Sequence, residues 1–378
     1  MSTKINVRSP YYVRIPITST SPTLHYANFQ LYVWDGDVAS VPASPTYSFT
    51  KYEVADSNYI VFEISEYVRD FLITEYGSYS TNCVWVKYAY QTYNAAGDYI
   101  NNFVLTPPAL GVYGYGYFED GVNPQLSLQL LQSNTIIYYN EGQDIVFPIW
   151  AEDLSTITLT SDAGADVFWE AVEDFWNTYD VSWGYALAPI GPIPATNNSS
   201  EKIQYIRITL SGELQDGDTI TITSGVGGPT TVITLEEICE PKYNPLNVIF
   251  YNKFGALQNI WFFKKSQVTL NVSSDTYKAN VMDFSSGTTY STSSPQLQTY
   301  NVIGKENIRC NTGFIDEQYN EVIKQLMMSD QVWIDNGTDV LPVRPLTNSL
   351  QFKTAVNDKL IDYSMDFEYA FDKINNIR

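Results

Sequence analysis

Three carboxylates lie close together in the middle of the chain, at Glu170, Glu173 and Asp174, next to the rings of Trp169 and Trp176. Paired carboxylates flanked by aromatic rings are what a glycoside hydrolase needs, one as acid and one as base or nucleophile. The same spacing also fits a short helix that buries its aromatic side and leaves its carboxylates in water. We adopt the helical interpretation, which assigns these carboxylates no chemistry.

Other catalytic constellations have little to build on. The chain has a single histidine, His25, in a segment rich in Ser, Thr and Pro, so any acid–base pair that uses imidazole depends on it alone. Asp216 and Asp218 are hard oxygen ligands that suit calcium, but the spacing lacks a calcium-loop pattern and is typical of a hairpin turn. We therefore predict no catalytic residue, no cofactor and no metal site, in a protein that is not an enzyme.

Four aromatic residues are the candidate contact residues: Trp169, Trp176, Trp183 and Tyr185. They fall in a segment of about residues 165–200 that interrupts a run of short predicted strands, and insertions on a rigid sandwich are where binding often occurs. Such rings can stack on a sugar or fill the centre of a protein interface. Burial inside the sandwich is the third interpretation.

Charge is distributed unevenly along the 378 residues, whose formal net charge is −21. The segment from Tyr88 to Glu201 contains no Lys, Arg or His among 114 residues, but fourteen Asp and Glu and twenty Phe, Tyr and Trp. By blocks, residues 1–132 carry −5, residues 133–240 carry −15 and residues 241–378 carry −1. An acidic surface repels nucleic acid and anionic membranes, so we predict neither as a partner.

Alternating apolar residues, separated by turn residues, predict a mainly β, multidomain protein with a few short helices. We predict a β-sandwich with one short helix over 1–125, in which Ser65 caps the helix. An acidic, immunoglobulin-like sandwich with the Trp-rich insertion follows over 126–240. A β-rich assembly domain occupies 241–378, with one helix over about 316–328.

The strands of the C-terminal domain are predicted in part from a hairpin. Leu350–Val356 is predicted to pair with Leu360–Phe371, whose alternate residues from Tyr363 onward are apolar. The three cysteines, Cys83, Cys239 and Cys310, match no zinc spacing and are predicted to be free, buried thiols. The N-terminus lacks an apolar run of signal-peptide length, and no segment approaches the roughly 18 apolar residues of a membrane span, so we expect folding in a cytoplasm without membrane insertion.

Two peptides carry a resemblance to a known class of protein. They are Gly114-Tyr-Gly-Tyr-Phe-Glu-Asp-Gly-Val-Asn-Pro124, which follows a Ser9-Pro-Tyr-Tyr-Val-Arg14 opening, and Glu240-Pro-Lys-Tyr-Asn-Pro-Leu-Asn-Val-Ile-Phe-Tyr-Asn-Lys-Phe-Gly255. With the terminal hairpin, they make the chain resemble virion structural proteins of tailed bacteriophages, especially tail or baseplate proteins of phages that infect Bacteroidetes-type hosts.

The resemblance implies a structural subunit of the virion, present in several copies, that folds in the host cytoplasm. Its expected partners are other copies of itself and neighbouring virion proteins. The alternative is a protein that binds carbohydrate or a host receptor, with a surface glycan as the partner of the Trp-rich insertion. The resemblance carries over no functional residues.

Overall fold

The computed structural model describes residues 3–17, 24–54, 57–72, 74, 76, 83–125, 129–139, 145–151, 157–161, 168–172, 198–209, 216–224, 230–238, 242–285, 287–352 and 360–374. It is mainly β, as predicted. Contacts divide it into two units. Unit 1 comprises residues 1–240, 250–259 and 318–329, and unit 2 comprises residues 241–249, 260–317 and 330–378. The first two predicted domains therefore fall in one unit, and their boundaries stay a prediction.

Besides a 3-10 turn at Phe118–Asp120, the elements of the first 240 residues are one α-helix and fifteen strands within the described ranges. They are β1 (Lys4–Asn6), β2 (Tyr12–Pro16), β3 (Tyr26–Trp34), β4 (Tyr47–Tyr52), β5 (Tyr59–Glu63), α1 (Ser65–Arg69), β6 (Cys83–Tyr93), β7 (Tyr99–Val104), β8 (Ala109–Val112), β9 (Ile136–Tyr139), β10 (Ile145–Trp150), β11 (Ile157–Ser161), β12 (Phe168–Val172), β13 (Ile203–Thr209), β14 (Thr219–Ser224) and β15 (Thr230–Glu237).

The elements after residue 240 are eleven strands and a second helix within those ranges. They are β16 (Leu246–Tyr251), β17 (Leu257–Phe262), β18 (Gln267–Lys278), β19 (Met282–Asp283), β20 (Thr289–Tyr290), β21 (Leu297–Asn311), β22 (Ile315–Asp316), α2 (Tyr319–Met327), β23 (Val332–Asp335), β24 (Val340–Pro345), β25 (Leu360–Ile361) and β26 (Ser364–Tyr369).

The N-terminal region is a two-layered β-structure. Six strands form one sheet in the order β1-β8-β6-β3-β4, and β7 shares with β8 the second edge of β6. The second layer is a ladder of β2 and β5, whose Phe62 ring stacks on Phe29 of β3 with centroids 4.6 Å apart. Alternate residues of β3 are fully buried, which is why its sequence alternates with period two.

Helix α1 is shorter than the predicted segment, and its predicted cap is wrong. Ser65 is the first helical residue, Ile64 occupies the cap position, and no side chain caps the helix from there. Instead the Glu63 carboxylate accepts hydrogen bonds from the Ser65 amide at 2.9 Å and from the Ser65 hydroxyl. A carboxylate at a helix N-terminus serves the same free amides that a serine cap would.

Strands β9 to β15 form an immunoglobulin-like sandwich. One sheet has the order β10-β13-β12 and the other β11-β14-β15-β9. The second, fourth and fifth strands thus share one sheet, while the third, sixth and seventh share the other, as in the immunoglobulin fold. The first strand, β9, runs parallel to the last, β15, and extends that second sheet. The predicted immunoglobulin-like sandwich is confirmed by this strand order.

The sandwich core is made of aliphatic residues and a few aromatic ones from both sheets. These buried residues are Leu130, Tyr139, Ile145, Phe147, Ile149, Ala151, Ile206, Ile208, Ile220, Ile222, Ile233 and Leu235. At about 1.5–3 kcal/mol for each large apolar side chain, their burial dominates the stability of this sandwich.

The helix predicted across the carboxylates and tryptophans is wrong at its start. Phe168–Val172 is strand β12, which pairs antiparallel with β13 from Phe168↔Thr209 to Val172↔Tyr205. The predicted insertion of about residues 165–200 therefore contains one strand of the sandwich. A five-residue segment with two aromatic residues and a valine fits a strand as well as a helix. Its pairing with β13 stabilises the strand, so the helical period does not apply here.

Unit 2 is built on a seven-stranded sheet with the order β17-β16-β23-β24-β26-β21-β18. Among the elements after residue 240, the predicted helix over about 316–328 is confirmed as α2, which belongs by its contacts to unit 1 rather than to this sheet. Residues Met365 and Phe367 of β26 are fully buried, as their alternation predicts.

The predicted pairing of Leu350–Val356 with the last strand is wrong for residues 350–352, the part of that segment that the structure describes. Residues 350–352 are not in a strand, and residues 353–359 lie outside the described ranges. The neighbours of β26 are instead β24 and β21, which occupy its two edges. Strand β24 contains Pro342 and Pro345. Because proline is rare inside a paired strand, the sequence does not indicate β24 as a neighbour of the last strand.

Both peptides that carry the virion resemblance contribute to one contact within unit 1. Gly255 has φ +79°, and a Cβ atom placed on it would lie 2.7 Å from the Tyr113 carbonyl carbon and 2.8 Å from the Gly114 nitrogen. The Tyr115 amide donates a hydrogen bond to the Lys253 carbonyl oxygen at 2.9 Å. The glycines of both peptides therefore permit two backbone segments to touch, which larger residues would prevent.

Helix α2 belongs to the same unit. The Tyr117 hydroxyl donates a hydrogen bond to the Glu321 carboxylate at 2.7 Å, and the Lys324 ammonium lies 3.6 Å from the Tyr117 ring centroid. Asn123, with φ +49°, bonds Asn6 through both of its amide atoms at 2.9 Å. The Gly-Tyr peptide is thus a packed connector that ties β1 and α2 to the first sheet.

Candidate functional site

The most exposed regular element of the described chain is a ribbon formed by β18 and β21. The two strands pair antiparallel from Gln267↔Arg309 to Lys278↔Leu297, with a bulge between Ser273 and Asp275. All twelve residues of β18 are exposed. We call these paired strands the β18–β21 ribbon.

One face of β18 is apolar although it lies in water. Val268, Leu270 and Val272 are 59%, 53% and 61% exposed, and they alternate with the polar residues Thr269 and Asn271. Period-two alternation normally marks a strand with one buried face. The sequence of β18 is therefore that of a half-buried strand, whereas its apolar face is open.

This apolar row continues the core face of the sheet. Val268 pairs with Ile308 of β21, which pairs with Phe367 of β26, so the three side chains share one face. Ile308 is 4% exposed and Phe367 is fully buried. The core face therefore continues outward to Val268, whereas Leu270 and Val272 pair with Glu306 and Gly304 of β21.

The outer edge of β18 offers backbone groups to another strand. β18 ends the order of its sheet, so every second amide and carbonyl points away from β21. Proteins usually protect such edges with proline, charged residues, bulges or a covering element. β18 contains no proline, and its bulge, Asp275 and Lys278 all lie after the apolar row of Val268, Leu270 and Val272. The exposed apolar part of this edge, residues 267–273, is a site for pairing with another chain.

The ribbon carries little charge. β18 contains Asp275 and Lys278, and β21 contains Lys305, Glu306 and Arg309, a net charge of +1 in a chain of net charge −21. At its far end, the Tyr277 and Tyr300 rings meet edge to face at 5.8 Å. A cleft of about 590 Å³ lies beside β19 and β20, with Tyr290 and Met282 in its lining.

The four residues predicted as contact residues are mostly beyond what the structure describes. Trp169 lies on β12, which places it in a sandwich strand, and its side chain is not described. Trp176, Trp183 and Tyr185 fall within residues 173–197, outside the described ranges. Their predicted role as interface or glycan contacts therefore stays a prediction.

The candidate catalytic and metal residues also lie only partly within the described ranges. Glu170 lies on β12, and Glu173 and Asp174 lie outside the described ranges. Asp216 accepts a hydrogen bond from the Glu237 amide at 3.1 Å, as expected of hairpin chemistry. Among the described residues no three His, Cys, Asp or Glu side chains lie close enough to hold a metal ion.

His25 has a partner that the sequence does not indicate. Its Nδ1 atom lies 2.8 Å from a Glu53 carboxylate oxygen, and its ring meets Tyr26 and Tyr52 at centroid distances of 6.4 and 5.6 Å. Glu53 follows β4 and His25 precedes β3, so the antiparallel pairing of these strands brings the two together. A carboxylate 28 residues away in the sequence gives no local signal.

The described cysteines are free and buried, as predicted, whereas Cys239 lies outside the described ranges. Burial raises the pKa of Cys83 to about 12 and the pKa of Cys310 to about 12. Both thiols are therefore protonated at neutral pH and are poor nucleophiles.

The segment that returns from residue 197 is fixed to the N-terminal sheet. The turn at Asp35-Gly-Asp37 pairs with it: the Ser200 amide donates to the Gly36 carbonyl oxygen at 2.9 Å, and the Ser200 hydroxyl accepts from the Gly36 amide at 2.8 Å. Burial, together with the charge of Asp35, raises the pKa of Glu201 to about 8. Glu201, just after the C-terminal end of the Trp-rich segment, therefore has a carboxyl group whose protonated form is favoured by the fold.

Glu201→Gln is expected to remove a pH dependence of stability. The folded pKa of about 8 lies above the ordinary value of 4.5, so the fold favours the protonated carboxyl, and wild-type stability falls as pH rises between those values. With a discount for the partial exposure of the carboxyl, the variant is expected to be about 2 kcal/mol more stable at alkaline pH and equal at acid pH.

Urea denaturation at a series of pH values measures this difference. The exposed Glu119→Gln is the matched control, because it removes one negative charge where the side chain is solvated. Parallel pH curves for wild type and Glu201→Gln would contradict a burial cost at Glu201.

Comparisons with known proteins add little. No protein-family model matches the chain, and no curated protein matches it. Among solved structures, two fragments of titin match, "3Ig structure of titin domains I67-I69 E-to-A mutated variant" and "I-band fragment I67-I69 from titin". Each is 10% identical over 82% of this chain and 89% of the titin chain, with a TM-score of 0.15. Similarity this low carries no argument, so the immunoglobulin-like description depends on strand order.

No helix in the part of the chain that the structure describes has both the length and the apolar composition needed to cross a membrane.

Proposed function

We propose that this chain is a non-enzymatic structural subunit of a bacteriophage virion, in the tail tip or baseplate, which assembles with other copies of itself through the β18–β21 ribbon. The observation that carries the assembly part is the exposed apolar row of Val268, Leu270 and Val272 on an unpaired edge strand. The virion part depends on the resemblance of the two peptides described above.

A second copy of the chain is the occupant that charge favours. The acidic residues 133–240 carry −15, so two copies repel each other over much of their surface. The ribbon, with a net charge of +1, is a surface that two copies can bring together without that repulsion.

Backbone geometry favours the same occupant. The regular part of β18 before its bulge, residues 267–273, extends for about 20 Å, and an edge of this length can pair with a second β18 or with another strand of the next copy. Pairing would bury the apolar row and satisfy the outward amides together, which separate side-chain contacts could not do.

Sedimentation velocity of the purified chain over about 1 to 100 μM tests the assembly, since interfaces of ordinary size give dissociation constants within or below this range. We expect the weight-average sedimentation coefficient to rise with concentration. A monomer throughout the range would contradict the proposal.

The virion placement needs a separate measurement. Mass spectrometry of purified phage particles is expected to find the chain in several copies per particle. Self-association without incorporation into particles would keep the assembly function and overturn the virion placement.

A further inference from the structure

The open face of the N-terminal sheet carries a row of four tyrosines, one from each of four neighbouring strands. Tyr26 of β3 pairs with Tyr52 of β4 on one side and with Tyr93 of β6 on the other, and Tyr93 pairs with Tyr99 of β7. The Tyr26 and Tyr93 rings stack at 4.8 Å, and the outer rings of Tyr52 and Tyr99 are 60% and 55% exposed. The row thus ends in two rings with free apolar surface.

A row of amides lies beside the tyrosine row. Asn28 of β3 pairs with Thr50 of β4 and with Gln91 of β6, and Gln91 pairs with Asn102 of β7. Cross-strand pairs point to the same side of a sheet, and rows two residues apart are separated by about 7 Å. Amides and rings therefore alternate across one continuous surface, which we call the tyrosine–amide face.

Hydrogen bonds within this face fix the direction of its amides. The Asn28 side-chain oxygen accepts from the Thr50 hydroxyl at 2.8 Å, and the Gln91 side-chain oxygen accepts from the Tyr93 hydroxyl at 2.8 Å. Within the described residues, the amide nitrogens of Asn28 and Gln91 donate to no protein group. Their donors are therefore held in place and available to a ligand.

The face is concave and carries little charge. A depression of about 290 Å³ lies over β3, β6 and β7 at the amide row, where Gln30, Gln91 and Asn102 help to line it, and the tyrosine row lies outside its lining. The one charged residue among its lining residues is Lys87. Beyond Lys87 the face ends at Trp34 and Trp85, which pair with each other and are 7% and 2% exposed.

We propose that the tyrosine–amide face binds a neutral oligosaccharide. A sugar hydroxyl both donates and accepts hydrogen bonds, and a carboxamide offers both functions in one group. The C–H side of a sugar ring is apolar and packs on an aromatic ring, which Tyr52 and Tyr99 provide. Four strands span about 14 Å, so the face accommodates several linked sugar units.

The low charge of the face favours a neutral oligosaccharide over nucleic acid and anionic polysaccharides. Nucleic acid and anionic polysaccharides need several cations, and this face offers only Lys87 among its lining residues. A protein partner would bury apolar side chains at the centre of its interface. Here the centre of the face is the amide row, with Gln91 and Asn102 both exposed.

A printed array of neutral and anionic glycans, probed with the full chain, tests the proposal. We expect binding to a set of neutral oligosaccharides. In titrations with the best array member, the Gln91→Ala/Asn102→Ala double variant and the Tyr99→Ala variant are each expected to lose about tenfold or more in affinity. All three residues are exposed, so the variants should melt within a few degrees of wild type.

Two controls match these variants. Asn101→Ala removes an exposed amide from β7 on the opposite side of the strand, and Tyr12→Ala removes a 45% exposed tyrosine from β2. Both are expected to bind like wild type, as is a Trp176→Ala/Trp183→Ala variant of the Trp-rich segment.

Three results would overturn the proposal: a silent array at millimolar glycan, binding to anionic glycans alone, or neutral-glycan binding that the Gln91→Ala/Asn102→Ala variant leaves unchanged. Loss of binding in the Trp176→Ala/Trp183→Ala variant alone would assign glycan recognition to residues 173–197 instead.

Discussion

Replacing Val268, Leu270 and Val272 with lysine is expected to weaken self-association about a hundredfold. Each large apolar side chain gains about 1.5–3 kcal/mol on full burial, and these three are already roughly half covered in the single chain. Their further burial between two copies therefore contributes about 3 kcal/mol, and 1.4 kcal/mol is a factor of ten in the dissociation constant. Three buried ammonium groups add a desolvation cost to that loss.

The matched control is a triple lysine variant on the other face of the same strand, at Thr269, Asn271 and Ser273. It adds the same charge to the same exposed strand and leaves the apolar row in place. We expect it to change the dissociation constant by less than about fivefold, since rim charges contribute little to affinity. Equal losses in the two variants would show that added charge, rather than the apolar row, weakens association.

Gly255→Ala is expected to destabilise unit 1 by about 3–4 kcal/mol. The residue adopts φ +79°, which costs about 1–2 kcal/mol for a residue with a Cβ atom. The added atom would also lie within 3 Å of three backbone atoms of Tyr113 and Gly114, and a packed backbone cannot move aside as a flexible side chain can. Thermal denaturation is expected to show a midpoint about 10 °C lower.

Gly217→Ala separates the two causes. Gly217 has φ +92°, and no atom of the described residues lies within 4 Å of the position of its Cβ, so the expected cost of this variant is that of the backbone conformation alone. Its expected cost is about 1–2 kcal/mol. Equal costs at the two glycines would contradict the close backbone approach at Gly255.

Most strands could be predicted from the sequence because their burial is one-sided. The alternation in Phe29–Trp34 and in Tyr363–Tyr369 reports directly which residues face a core, and the structure buries those residues. The immunoglobulin-like sandwich was predictable for the same reason, from short strands between Asp-Gly and Gly-rich turns. Strand β12 was not, because a five-residue segment of mixed aromatic and acidic residues satisfies helical and strand periods alike.

The candidate site was hidden because a sequence pattern does not say which faces remain open. The alternation of Val268, Leu270 and Val272 predicts a buried face, and only the strand order reveals that, among the described strands, β18 is the edge of its sheet. The tyrosine–amide face was hidden for a different reason. Its rows come from four strands spread over residues 26–102, and the register that aligns them is a tertiary property.

Hydrogen exchange of the β18 amides at low and high protein concentration tests assembly through the ribbon most directly. In dilute, monomeric protein, the outward amides of residues 267–278 are expected to exchange rapidly, because about half of the amides of an edge strand lack a partner. On association, peptides that cover β18 are expected to become protected while the buried strands of the same sheet stay unchanged. Protein that associates while its β18 amides exchange as fast as in the monomer would contradict the account.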